Sequence, residues 1–80
     1  MPAALLTRRQ RDVTLLVSRG ATNREIGRAL GLSERTVETY ITRILRQLQL
    51  RSRTELAVWA NSHRQLGTMT EESIQWPSDD

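Results

Sequence analysis

Four times in the first sixty residues, a hydroxyl side chain stands where a helix would begin. Thr7–Gln10, Thr22–Glu25 and Ser52–Glu55 each place Ser or Thr three residues before Gln or Glu, and Ser33 heads a fourth segment. At that spacing the hydroxyl accepts the backbone N–H of the third helical residue. The Gln or Glu reaches back to the N–H of the capping residue, so two donors that helix geometry leaves unpaired are both satisfied. Apolar residues follow each signal at helical intervals: Val13 and Leu16, then Ile26 and Leu30, then Val37, Ile41, Ile44, Leu45 and Leu48, then Leu56, Ala57 and Ala60. Gly20 is expected as the C-cap of the first helix, and Gly31 stops the second. The third runs from Glu34 to about Leu48, and the fourth fades near His63. Nowhere do apolar and polar residues alternate over the length of a strand. The pattern predicts an all-α fold, a tetra-helical bundle of four short helices.

The second and third helices are joined by Gly31-Leu32-Ser33, too short a link for anything but a tight turn. Such a turn needs a left-handed residue, which glycine supplies at Gly31 without steric cost. Gly27 lies inside the second helix, where it costs about 1 kcal/mol relative to alanine. Close approach of the next helix's backbone is the expected reason for it. Ile26, Leu30, Leu32 and Val37 supply the apolar contact between the two helices. This arrangement is a helix-turn-helix unit spanning Asn23 to Thr42.

The third helix has two unlike faces. At about 100° per residue, Val37, Ile41, Ile44, Leu45 and Leu48 share one arc. Arg35, Thr39, Thr42 and Arg46 occupy the other, flanked by Glu38 and Arg43. A solvated face with Glu38 paired to Arg35 would explain the charges. The turn in front of this helix favours a different use. An α-helix fits the major groove of B-DNA, where Arg bridges guanine O6 and N7 and Thr meets a thymine methyl. Arginines on the same arc suit phosphate oxygens.

Charge distribution points the same way. The chain of 80 residues carries a formal +3, but all twelve basic residues are arginines at or before Arg64. Residues 1–66 hold five of the nine acids and carry +7, and residues 67–80 carry −4. A basic body is the electrostatic footprint of a polyanion binder. The segment 67–80, "GTMTEESIQWPSDD", is expected as an acidic, disordered tail, with docking of Ile74 and Trp76 the less favoured reading. At 38% hydrophobic and 26% charged the composition is that of a globular domain. With no Phe, the core must come from Leu, Ile, Val and Ala. No apolar run approaches the ~18 residues of a membrane span. Zero cysteines exclude disulfides and thiolate metal sites.

The segments "LTRRQRDV" and "SRGATNREIGRALGLSERTVETYITRILRQLQLRSRTELAVWA", about residues 5 to 62, resemble the C-terminal DNA-binding domain of the LuxR family. That family includes two-component response regulators and quorum-sensing regulators. The resemblance implies a tetra-helical domain whose helix from Ser33 to Leu48 lies in the major groove and whose last helix, near Arg53 to Ser62, pairs two subunits. It implies phosphate contacts from Thr36 in the "S-x-x-T-V" motif and from Asn23 at the start of the scaffold helix. Arg24, Ser33, Arg43 and Arg46 join the expected phosphate set, and Arg35, Glu38, Thr39 and Thr42 the base-reading set. Val58, Trp59 and Asn61 are the expected dimer surface. The chain departs from common family residues at Gln10 (Glu), Tyr40 (His) and Gln47 (Lys), and at Glu38 and Thr42, where several members have Lys.

The function expected is a sequence-specific, DNA-binding transcriptional regulator in the cytoplasm, a homodimer weak without DNA, with RNA polymerase as a further partner. Neither a cofactor nor a metal is expected, and an enzyme is disfavoured because the lone His63 has no companion for a triad or metal site. Two alternatives stay open. One is the promoter-reading domain of a sigma-type factor. The other is a protein-interaction module on a helix-turn-helix fold. Residues 1–66 are expected to form the DNA-binding domain.

Overall fold

Each helix begins through bonds its own sequence provides. In a computed structural model that describes residues 6–62, these are α1 (Arg8–Ser18), α2 (Asn23–Leu30), α3 (Glu34–Leu48) and α4 (Arg53–Ser62). Among the described residues there is no strand. Residues 63–80, including His63, Ile74, Trp76 and the acidic segment, lie outside them.

The reciprocal capping boxes form at α1 and α2. Thr7 Oγ1 accepts from the Gln10 N–H at 3.1 Å while Gln10 Oε1 accepts from the Thr7 N–H at 2.9 Å. Thr22 and Glu25 repeat the pair at 3.1 and 2.8 Å. The box expected at α4 is only half made. Ser52 Oγ accepts from the Glu55 N–H at 3.1 Å, but the Glu55 carboxylate takes the Arg51 N–H, at 2.7 Å, one residue beyond the predicted partner. Glu55 thereby ties down the loop in front of α4.

Three helices close by the same device, in which a residue two or three positions past the helix bonds back to a carbonyl five positions earlier: Ala21 to Leu16, Leu32 to Gly27, and Leu50 to Leu45. At α1 this corrects the expected cap. The C-cap is Arg19, and Gly20 follows it in the left-handed region at φ +86°. The reversal falls one residue later because Arg19 N–H is still bonded to helix carbonyls, at Leu15 and Leu16. Gly31, at φ +73°, reverses the chain after α2. Gln49 does so after α3 at φ +59°, a conformation that strains an L-residue.

The core gathers Leu6, Val13, Leu16, Val17, Ile26, Val37, Ile41, Ile44, Leu48 and Leu56, all buried. α1 runs through its middle, packing on α4, α3 and α2, while α2 packs chiefly on α3. Three polar residues of α1 share this interior, Gln10, Asp12 and Thr14. Thr14 is fully buried, and neither its hydroxyl nor Asp12 Oδ1 has a hydrogen-bond partner among the described residues. Burial pushes the Asp12 carboxyl above its ordinary range, against the pull of Arg9, Arg8 and Arg11. Arg9 stands 3.4 Å from its other oxygen.

Candidate nucleic-acid interface

The turn between α2 and α3 is tighter than the sequence reading supposed. A Cβ on Gly27 would lie 2.4 Å from the Leu32 carbonyl oxygen. The backbone that presses on Gly27 is therefore the turn itself, not α3. Leu32 N–H bonds to the Gly27 carbonyl at 2.8 Å. This clasp sets where α3 starts, and hence where its outer arc stands.

α3 then emerges with its two faces as its periodicity requires. Val37, Ile41, Ile44 and Leu48 are buried, and Leu45 is half-buried against them. Arg35, Glu38, Thr39, Thr42, Arg43 and Arg46 are all exposed and line one shallow depression. The sequence-predicted base-reading set thus comes together with two of the predicted phosphate contacts. No side-chain hydrogen bond or ion pair to another described residue holds Arg35, Glu38, Thr42, Arg43 or Arg46. The Arg35–Glu38 pairing that would have made this an ordinary solvated face does not form among them.

Hydrogen bonds divide the roles of the hydroxyls. Ser33 Oγ accepts the Thr36 N–H at 3.0 Å as the cap of α3, and its own hydrogen goes to Thr36 Oγ1 at 2.9 Å. Ser33 is thus committed to the fold, and the hydrogen of Thr36 is the one left to give. Thr39 donates back to the Arg35 carbonyl at 3.2 Å, so what it turns outward is chiefly its methyl group.

Asn23 and Arg24 begin α2, the helix before the turn. Asn23 is half-buried, and its Oδ1 accepts from the Arg53 guanidinium. Arg53 also donates to the Ala21 carbonyl at 2.6 Å. With its oxygen held, the Asn23 amide has only its N–H groups to offer a ligand, which suits an anion. The sequence reading missed Arg53, because the contact joins residues 30 positions apart. It also missed that Gln10 and Gln47 meet. Gln10 Nε2 donates to Gln47 Oε1 at 2.7 Å, tying α1 to α3 across 37 positions. A signal was present, since both are neutral where family members commonly carry charge.

Of the expected dimer surface, Val58 stands out as the exposed large hydrophobic residue of the described chain, 60% accessible. Asn61 is exposed, whereas Trp59 is half-buried against the core and only partly available. No helix among the described residues is long and apolar enough to cross a membrane.

A model for bacterial regulatory proteins of the luxR family matches residues 4–60. The nitrate/nitrite response regulator protein NarL of Escherichia coli (strain K12) is 39% identical over 59 residues, 74% of this chain and 27% of that protein. The transcriptional regulatory protein LiaR of Bacillus subtilis (strain 168) is 41% identical over 61 residues, 76% of this chain and 29% of that one. Among solved structures, VqmA bound to DPO matches with a TM-score of 0.74 at 26% identity, over 95% of this chain and 40% of that one. The chain spans less than a third of the length of these curated relatives.

Proposed function

The chain belongs to the luxR family of bacterial regulatory proteins, whose members are DNA-binding transcription regulators, and from that premise we propose that α3 lies in the major groove of duplex DNA and selects its sequence. One observation carries this reading. Six exposed side chains of a single helix, three of them arginines with no partner among the described residues, stand together on the side away from the core. Uncompensated cationic charge beside short polar side chains suits a polyanion that also presents base edges.

Within that arc Arg35, Glu38 and Thr42 reach base edges, and Thr39 offers its methyl to thymine. Glu38 accepts from a cytosine N4 amino group and disfavours the same edge of other bases. Arg43, Arg46 and Arg24 carry phosphate affinity, joined by the Thr36 hydroxyl and the Asn23 amide. Ser33 acts through the cap, by fixing the helix start and orienting the Thr36 hydroxyl. Two copies pair through α4, with Val58 at the centre of the contact and Asn61 at its edge. One side chain of this size is a small anchor, so pairing is weak until DNA brings both copies together. A cytoplasmic location and RNA polymerase as a further partner belong to the same proposal, because a transcription regulator acts where DNA is transcribed.

Selection from a random duplex library, followed by anisotropy titration at several salt concentrations, tests the proposal. An enriched motif is expected, together with a fall in log affinity against log salt of slope about −4 to −5 per subunit if about five phosphates are contacted. No enrichment and a flat salt dependence would overturn it.

A further inference from the structure

Beside the proposed base-reading arc, between the start of α1 and the first turns of α3, lies a groove of about 360 Å³ lined by Thr7, Gln10, Thr36, Thr39, Tyr40 and Arg43. Thr39 and Arg43 belong to both, so the groove continues the surface that faces DNA. Its chemistry is one-sided. Thr7 Oγ1 already accepts the Gln10 N–H, and Thr36 Oγ1 already accepts the Ser33 hydroxyl. Each has its own hydrogen uncommitted among the described residues. Tyr40 packs its half-buried ring against the core, and its hydroxyl has no partner among the described residues. Arg43 adds a guanidinium with no ion pair there. No carboxylate lines the groove.

Donors gathered without a counter-anion fit a ligand that only accepts. We propose that this groove seats a backbone phosphate of the bound duplex, held by the Tyr40 and Thr36 hydroxyls and the Arg43 guanidinium, with Thr7 closing the α1 side. The proposal rests on the DNA-binding reading and extends it to residues outside the helix-turn-helix. It makes Tyr40 a phosphate-positioning residue. The ring is anchored in the fold, so little rotamer freedom is lost when the hydroxyl engages, and an O–H to a charged oxygen is among the stronger hydrogen bonds. Because one strand of the backbone is fixed at this point, the groove also sets how α3 enters the major groove.

The test uses the whole 80-residue chain and two duplexes, the best selected site and an unrelated sequence. Tyr40→Phe is expected to weaken binding to both by the same factor, roughly 3- to 30-fold, with an unchanged salt slope because no charge is removed. Arg43→Ala is expected to weaken both and to make the slope shallower by about one. Circular dichroism and melting confirm that each variant keeps the fold. A scan of single methylphosphonate substitutions in the selected site then locates the contact. One position should cost the wild type affinity and cost Tyr40→Phe clearly less. If the wild type binds and Tyr40→Phe binds equally well, or no backbone position is coupled to it, the groove holds no phosphate while the DNA-binding reading stands. If the wild type binds no duplex, both fall together.

Discussion

The helix-turn-helix and the last helix are built to different tolerances. α2 is capped reciprocally, its C-terminal reversal is clasped onto Gly27 at contact distance, and α3 leaves that clasp with one face in the core. Little freedom remains in how α3 is aimed. α4 has one bond of its capping box, a nearly even spread of apolar residues around it, and an outward valine. Its tether to the rest of the interface is the Arg53 side chain, reaching Asn23 and the Ala21 carbonyl. The contrast suits the proposed roles. A helix that reads base edges must be held to within a fraction of an ångström, because hydrogen bonds fail when misaligned. A helix that meets a copy of itself needs an accessible surface more than a fixed angle.

The sharpest way to break this comparison is to place an alanine in each region. Gly27→Ala would ordinarily stabilise an exposed helix by about 1 kcal/mol. Here the methyl meets a backbone carbonyl, so a loss of about 1–3 kcal/mol is expected in urea unfolding, together with weakened DNA binding as the turn shifts. Asn61→Ala, on the exposed side of α4, should stay within about 0.5 kcal/mol of the wild type. A stabilised Gly27→Ala would mean that the turn has slack.

Cutting the tether comes next in size. Arg53→Met keeps much of the apolar stem and removes both hydrogen bonds from a half-buried guanidinium, an expected loss of about 1–2 kcal/mol. It also frees the Asn23 amide to turn. DNA affinity should therefore fall even though Arg53 is not itself assigned to DNA, and Asn23→Ala in the same background should cost less than it does alone. Additive effects of the two substitutions would separate α4 from the reading surface.

Gln49 stands where α3 hands over to α4, and its left-handed backbone is the one such conformation on a non-glycine residue among the described positions. Gln49→Gly should relieve that strain and stabilise the fold by about 0.5–1 kcal/mol after the entropy glycine gains in the unfolded chain. A thermal melt reads the sign directly, and a lower melting temperature would show that the Gln49 side chain contributes more than its backbone costs.

Smallest in stability is Val58→Asp, expected within about 0.5 kcal/mol because the side chain is already in water. Its effect should appear only with two half-sites, as a loss of cooperativity while single-site affinity holds. Cooperativity equal to the wild type would remove α4 from the subunit contact.

What could be read from the amino-acid order alone were the relations among neighbours. Thr7 with Gln10, Thr22 with Glu25, and Ser33 at the head of α3 announce helix starts because capping acts across three residues, and the bonds form as that spacing requires. The division of α3 into a buried and an exposed arc follows from its period, which needs no knowledge of what the buried arc meets. Contacts between distant residues were decided by the tertiary fold. Gln10 and Gln47 each depart from the common family residue, but that the two meet is decided only where α1 crosses α3, and Arg53 is one arginine among twelve until α4 returns beside the start of α2. The same holds for Thr14, polar in composition and fully buried in fact. For the hydroxyls, sequence identifies which residues carry a hydrogen to donate. Only folding determines which have already spent it, Thr39 on its own helix and Ser33 on Thr36, and which still face outward, because a hydrogen bond depends on distance and angle in space and not on separation along the chain.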